Sequence, residues 1–223
     1  MSLDLKNLNK QDPLKRMVER QNETEEFSPM DPPDAFQPPD LDKVKYEDMH
    51  PLIQTLMDEH KACNSAISEF ENVLNSLHSD GFSKTTLDGI NDFFSFFDES
   101  IIEHNRKEDD TIFADLNKIL HKKEEFSTGA EKTVVDLMED DHIKMLQLAA
   151  ISFNLFGLIT RIPDEGSGMV ILDLAVEQSK ALIEMLKLHI FREDNVVFPM
   201  ANNYLSTKIL NVMNKGIGNK NSC

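Results

Sequence analysis

Residues 104–113 read HNRKEDDTIF, and residues 189–198 read HIFREDNVVF. Both stretches fit the motif His-x-x-[Lys/Arg]-Glu-Asp-[Asp/Asn]-x-[Ile/Val]-Phe, and the two copies are 85 residues apart. In an α-helix, a His and a Glu four residues apart lie on one face, about 6 Å apart along the axis. The sequence therefore predicts two helices that each present an imidazole and a carboxylate to the same neighbour.

A second short motif precedes each copy of the first. Residues 58–60 read DEH and residues 140–142 read DDH, and the two histidines are 82 positions apart. The chain thus divides into two similar halves, each a helix with one His followed by a helix with His-x-x-x-Glu. A repeat of this length is a stronger guide to architecture than local propensity.

Four amphipathic stretches contain these motifs, with apolar residues three or four positions apart. The first is predicted to begin near Asp48, and the second at a Ser83 cap, ending near Leu120–Lys123. The third is predicted to begin at residues 127–129, and the fourth to be kinked or ended by Pro199, with a short helix over 200–213 after it. The predicted interior stripes are Leu52, Leu56, His60, Cys63, Ile67, Phe70 and Leu74; Leu87, Ile90, Phe94, Phe97, Ile101, His104, Glu108 and Ile112; Val135, Met138, His142, Met145, Ala149, Phe153 and Phe156; and Leu172, Ala175, Leu182, Leu186, His189, Glu193 and Val196.

These lengths and short connections predict an all-α fold, an antiparallel up-down four-helix bundle. The bundle is expected over residues 48–214, with a polar tail at 215–223. Residues 1–47 contain six of the nine prolines, so they are expected to form a Pro-rich N-terminal extension that holds no long helix.

Charge and cysteine content exclude several classes of function. Forty acidic residues against 23 basic ones give a net charge of −17, which argues against nucleic acid and anionic membranes as partners. Two cysteines, Cys63 and Cys223, make neither a disulfide framework nor a cysteine metal site. The most apolar window, 145–162, is interrupted by polar residues and is interpreted as a buried helix. The first ten residues lack a secretory pattern, so a cytoplasmic location is expected.

Six polar side chains fall on the predicted interior stripes, and this is unusual for a core. They are His60, His104, Glu108, His142, His189 and Glu193. A buried carboxylate costs several kcal/mol unless it is compensated, and no Lys or Arg lies on the stripes. Two metal ions would supply the missing positive charge. A mixed imidazole and carboxylate set points to iron first, with manganese or zinc as alternatives.

The pattern resembles the hemerythrin-like, or HHE cation-binding, domains over residues 48–205. The six residues above occupy the ligand positions of that family, and His50-Pro51-Leu52 and the segment 196–199 also fit. The resemblance implies two iron ions joined by an oxo or hydroxo bridge and ligated by these side chains. It also implies a small diatomic ligand, oxygen or nitric oxide; the protein partner is unspecified.

The sequence departs from the oxygen-carrying hemerythrins in two ways. Those proteins have a second His one turn away on the third helix, where this chain has Met138 and Leu146. They also use His-x4-Asp on the fourth helix, so that Asp194 competes with Glu193 as the bridge. The four-His, two-Glu set is closer to the bacterial repair-of-iron-centres proteins, which commonly have a cysteine-bearing N-terminal domain, whereas residues 1–47 of this sequence contain no cysteine.

Other metal arrangements fit less well. Ferritin-like bundles need Glu-x-x-His on two helices, and only Glu139–His142 has that spacing, which leaves Glu139 as a candidate extra ligand. His50 and His78 lie near the ends of the first helix and are expected at the surface.

Three functions remain open from the sequence. The first is a di-iron binding protein that senses, stores or scavenges oxygen or nitric oxide. The second is an iron-donating or iron–sulfur cluster repair protein, or a redox enzyme acting on nitric oxide or peroxide. The third is a helical scaffold without metal. Binding is favoured over catalysis.

Overall fold

The computed structural model describes residues 44–122 and 132–220, with the side chains of 78–80 and 217–220 left out. Within these ranges the chain is helical and has no strand. Helix α1 is Pro51–Asp80, α2 covers residues 84–120, α3 is Val134–Ile159, α4 covers residues 165–204, and α5 is Thr207–Lys220. The predicted arm over 1–47 falls almost wholly outside the described residues, as does Cys223.

The four long helices form an antiparallel up-down bundle, as predicted. Contacts between α1 and α2 pair His60 with His104 and Phe70 with Phe93, so the two helices run in opposite directions. Helices α3 and α4 are antiparallel in the same way, because His142 meets His189 while Asp141 meets Arg192. The predicted fold class is therefore confirmed.

Local capping explains where the helices begin and end. His50 caps α1 by accepting the amide of Leu52 on Nδ1, and Pro51 occupies the first turn, where its missing N–H costs nothing. Ser83 caps α2, as expected from the sequence. The turn between them places Gly81 at φ 62°, a conformation that favours glycine.

Helix α3 begins later than the sequence suggested. Thr133 has an extended backbone and forms a capping box with Asp136, so the helix starts at Val134 and not near residues 127–129, which lie outside the described residues. Pro199 does not break α4. A π-turn at Glu193–Val197 precedes it, and the helix continues to Tyr204. The short helix predicted over 200–213 is instead a separate element, α5.

Two further π-turns lie in α2, at Phe97–Ile101 and Asp109–Phe113. Two of the three π-turns in the described residues therefore coincide with the motif copies, beginning at Asp109 and at Glu193. A π-turn inserts an extra residue into the helix and is common at functional sites.

The core has two apolar clusters with a polar layer between them. One cluster includes Ile67, Phe70, Phe97 and Leu186, and the other includes Leu52, Phe113, Val135 and Phe198. All six predicted polar stripe residues lie between these clusters along the bundle. The first helix follows its predicted stripe fully, since each of those seven residues is at most 5% exposed.

The third helix is less buried than predicted. Phe153 was assigned to the interior stripe, but it is 52% exposed, since its ring lies at the margin of the stripe and contacts Phe94 by its edge. By length and composition alone, α3 is the one helix in the described ranges that could cross a membrane. Only 28% of its most apolar 18-residue window is buried inside the protein. The window predicted to be buried is thus partly a surface feature.

Candidate metal centre

All four helices of the bundle contribute to one buried cluster. His60 comes from α1, His104 and Glu108 from α2, His142 from α3, and His189 and Glu193 from α4. The four histidines are 2–5% exposed and both glutamates 0%. The structure therefore brings together all six residues that the sequence singled out.

The donor atoms form two sets of four that share both carboxylates. One set is His60, His104, Glu108 and Glu193; the other is Glu108, His142, His189 and Glu193. In each set one ligand atom per residue lies within 4.8 Å of the others. The two sets are related by the internal repeat, because each contains one lone His and one His-x-x-x-Glu histidine.

Each carboxylate reaches both pairs of histidines. Glu193 has Oε2 3.2 Å from His60 Nε2 and Oε1 3.0 Å from His189 Nε2. Glu108 has Oε1 3.3 Å from His104 Nε2 and Oε2 3.6 Å from His142 Nε2. The two glutamates therefore lie between the histidine pairs in the manner of bridging ligands.

A ring of outer carboxylates fixes the histidine rings. His60 Nδ1 donates to Asp194 at 2.8 Å, His104 Nδ1 to Glu59 at 2.7 Å, and His142 Nδ1 to Asp109 at 3.1 Å. A carboxylate only accepts, so each of these three Nδ1 atoms carries a proton, and Nε2 is the ring nitrogen left to face the centre. This is the usual support of a metal-binding histidine.

The fourth histidine differs from the other three. His189 Nδ1 lies 3.9 Å from Asp141 Oδ2, beyond hydrogen-bond length, and Asp141 is held by Arg192 at 2.9 Å instead. On the opposite side of the bundle, Lys107 binds Glu59 at 2.7 Å. Lys107 and Arg192 occupy the same position in the two motif copies, and neither pairs with Glu108 or Glu193.

Without a metal ion, the close contacts between histidines and carboxylates shift the pKa values of both. Burial alone would lower the pKa of His60, but the carboxylates of Asp194 and Glu193 beside it raise that pKa to about 9. Burial likewise opposes protonation of His189, while Glu193 and the nearby Asp141 raise its pKa to about 10. Burial acts to raise the pKa of Glu193, and the adjacent His189 and His60 nevertheless hold it well below its usual range.

Two phenylalanines close the site on the side of the second apolar cluster. The Phe198 ring stacks on His60 with centroids 5.5 Å apart, and the Phe113 ring stacks on His142 at 5.7 Å. Each is the fifth residue after a central glutamate and is fully buried. The sequence showed both residues in the motif but gave no indication that they support histidine rings.

The donor set fits two cations. None of the four oxygens of Glu108 and Glu193 has a hydrogen bond from any described residue, although all are buried. His60 Nε2 and His104 Nε2 face each other at 2.9 Å, and His142 Nε2 and His189 Nε2 at 3.0 Å. The outer carboxylates accept from the Nδ1–H groups of His60, His104 and His142, so the Nε2 atoms are left facing one another in the centre, and a cation that displaces any Nε2 proton satisfies them.

Comparison with known proteins agrees with this geometry. The profile of the hemerythrin HHE cation binding domain matches residues 51–201, about two thirds of the chain. The chain belongs to the hemerythrin HHE cation-binding family. Searches against curated proteins and solved structures gave no significant match.

Within this hemerythrin-like bundle, the alternatives left open by the sequence occupy different places. Asp194 lies outside the two donor sets, where it accepts from His60, and Glu193 lies in both. Glu139 also belongs to neither set. Met138 is buried in the second apolar cluster and Leu146 is 44% exposed, so neither position extends the histidine set. His50 is a half-buried helix cap, and the His78 side chain is outside the described residues.

Of the outer carboxylates, the sequence indicated only Asp194, and it did so as an alternative bridge and not as a support for a histidine. Glu59, Asp109, Asp141 and Asp194 each adjoin a central ligand, and each lies beside a histidine from another helix. The sequence did contain an indication of this role, because an acidic residue adjoins a ligand in each repeated Glu-Asp and Asp/Glu-His pair. An acidic residue next to a ligand on a buried helix face points toward the neighbouring helix.

Proposed function

We propose that this protein binds two metal ions, iron in preference to manganese or zinc, in the two donor sets of the bundle. The observation that supports this most directly is the sharing of both buried carboxylates by two equivalent histidine pairs. Such carboxylates are stable in a dry core only if positive charge neutralises them. The mixed nitrogen and oxygen donors favour iron.

The charge of the whole region supports two ions. With neutral histidines, two central and four outer carboxylates are offset by Lys107, Arg192 and Lys144, which leaves an excess of three negative charges. One divalent cation does not neutralise that excess, and two do.

We further propose that the loaded centre binds a small diatomic molecule, oxygen or nitric oxide, for sensing, storage or scavenging. The six ligand side chains are at most 5% exposed, so a ligand of a few atoms fits the site better than a larger substrate. When bound, iron supplies the redox and ligand-binding chemistry. The chain's own residues orient the histidines through the outer carboxylates and exclude water with Phe113 and Phe198.

Donation of iron to another protein is the second candidate. It is favoured by the missing hydrogen bond at His189 Nδ1, which leaves one histidine less firmly held than the other three.

Elemental analysis of the purified protein, combined with optical spectra under air, under reduction and with nitric oxide, tests the proposal. We expect two iron ions per chain and a reversible spectral change on exposure to oxygen or nitric oxide. Glu193→Gln should lose both ions, while Glu139→Gln, on the same bundle but outside both donor sets, should keep them. A wild-type protein without stoichiometric metal would refute the proposal.

A further inference from the structure

The two halves of the centre provide an internal comparison because they have the same motif. In the first half, Glu59 accepts from His104 Nδ1 at 2.7 Å with one oxygen and from Lys107 at 2.7 Å with the other. In the second half, Asp141 stands where Glu59 does and Arg192 where Lys107 does. Asp141 meets Arg192 at 2.9 Å but remains 3.9 Å from His189 Nδ1.

Side-chain length accounts for the difference. Aspartate is one methylene shorter than glutamate, so a carboxylate fixed on the guanidinium does not also reach the imidazole. Lys144 adds to the competition, since its ammonium lies 3.9 Å from the other oxygen of Asp141. His189 Nδ1 is consequently a buried atom without a hydrogen-bond partner in the described residues.

A histidine ligand is oriented and made more basic when its outer nitrogen donates to a carboxylate, and losing that partner typically reduces metal affinity about 10–100-fold. We propose that the ion held by His142 and His189 is bound more weakly than the ion held by His60 and His104, and that Asp141 is the positioning residue responsible. This inference rests on the proposed metal binding. It assigns the labile half of the centre to the α3–α4 side.

Stepwise removal of iron tests this. Metal-free protein is loaded anaerobically with ferrous iron and titrated with a chromogenic chelator, while bound iron and the optical spectrum are recorded. We expect wild type to release its ions in two steps separated about 10–100-fold. Asp141→Glu should bring the two steps together because it strengthens binding of the ion that is released first. Arg192→Gln should have the same effect.

The reciprocal variant is the matched control. Glu59→Asp places the shorter side chain in the other half of the centre. It should bring the two steps together because it weakens binding of the ion that is released second. Circular dichroism verifies that each variant keeps the helical fold. Release of both ions in one step from wild type, or an unchanged first step in Asp141→Glu, would overturn the inference. Failure of wild type to bind iron at all would instead remove the proposed function.

A separate observation concerns the outer surface of α3. No charged residue occurs between Met145 and Thr160, in a chain with a net charge of −17. Exposed residues on this helix recur with heptad spacing, namely Ile143, Leu146, Ala150, Phe153 and Gly157. Apolar residues spaced three and four apart along an exposed face form the seam of paired helices. We call these five residues the α3 seam.

The charges that flank the seam specify the partner. Glu139 lies one turn before Ile143, and Arg161 lies one turn after Gly157, just past the helix end. Two antiparallel copies centred on Ala150 place Glu139 of each copy opposite Arg161 of the other. The chain has a net charge of −17, so approach of two copies through its charged surface is opposed by net repulsion.

We infer that the α3 seam is the two-fold interface of a homodimer. The seam spans 15 residues from Ile143 to Gly157, about 21 Å of helix. Its spacing of three and four residues matches two antiparallel α3 helices that meet at Ala150.

Light scattering after size exclusion, over a wide concentration range, tests the dimer. We expect twice the mass of one chain for wild type and half of that value for Ala150→Glu, which opposes two carboxylates at the two-fold axis. Ala62→Glu, the same substitution at an exposed position of α1, should leave the mass unchanged. Arg161→Glu should weaken the dimer, and the double variant Glu139→Arg, Arg161→Glu should restore it.

Two results would overturn this second inference. One is a wild type that remains monomeric at every concentration, and the other is a dimer whose mass is unaffected by Ala150→Glu. A version lacking residues 1–43 that dimerises while the full chain does not would identify the N-terminal segment as the occupant of the seam instead.

Discussion

Thermal stabilisation by metal should decrease in defined steps as ligands are removed. A ligand that binds only the folded state stabilises it by about 2.7 kcal/mol when its free concentration is about 100 times its Kd. With free iron at about 100 times the Kd of the weaker site, two ions therefore contribute at least about 5.4 kcal/mol. In a chain of this size, about 1 kcal/mol corresponds to about 2–4 °C in Tm, so loaded wild type should melt at least about 11–22 °C above the metal-free protein.

The structure predicts a different loss for each kind of ligand. His60 belongs to one donor set, so His60→Ala should keep only the ion held by His142 and His189 and that ion's share of the shift, about 5–11 °C. Glu193 belongs to both sets, so Glu193→Gln should lose the whole shift. Glu139→Gln should keep all of it.

Differential scanning calorimetry with and without ferrous iron under argon measures these shifts. Each variant is compared with its own metal-free form, so the effect of the substitution on the fold cancels. Equal shifts in Glu193→Gln and His60→Ala would contradict the prediction, because the shared position of Glu193 would then have no energetic consequence. Identical melting of wild type with and without metal would contradict metal binding itself.

Three further predictions concern protonation, packing and capping. In metal-free protein the pKa of His60 is raised to about 9 and that of His189 to about 10, so both hold a proton at neutral pH. Metal affinity should therefore increase as the pH rises toward 9, and loading should release protons into weak buffer; an affinity independent of pH would contradict this. Phe198→Ala should reduce the free energy of unfolding of metal-free protein by about 3–5 kcal/mol in urea, since the ring is fully buried against His60. Thr133→Ala should cost about 1 kcal/mol by removing the α3 cap, and an unchanged urea midpoint would show that the cap is not needed.

The sequence identified the bundle and its polar centre because two independent periodicities agreed. The helical spacing placed His60 on the same stripe as Leu56 and Cys63, and the repeat placed His142 in the same way. Agreement of local pattern and internal symmetry is what makes one fold specific. The six polar stripe residues therefore converge in the structure as the pattern indicated, while their role as ligands and the cytoplasmic setting stay predictions.

The outer carboxylates could not be placed in the same way. Asp194 and Glu193 are adjacent in the sequence, and their spacing to His189 alone does not decide which one points to the centre. The choice depends on the helix register at that point and on the position of His60, which belongs to the opposite end of the chain. Such contacts between distant segments are properties of the packed bundle, so sequence spacing within one helix does not determine them.

The π-turn at Glu193–Val197 explains why the predicted interior stripe of α4 is wrong at Val196. With α-helical spacing, Val196 follows Glu193 on the interior stripe, but it is only partly buried, whereas Val197 and Phe198 are fully buried. Residues five apart diverge by about 140° on an α-helix, and the extra residue of a π-turn reduces that divergence. Glu193 and Phe198, like Glu108 and Phe113, can therefore both face the centre, one as a donor and one against a histidine ring. Both motif copies have a five-residue interval from Glu to Phe. In each copy a π-turn within this interval allows both side chains to lie on one face of the helix, as each half of the centre requires.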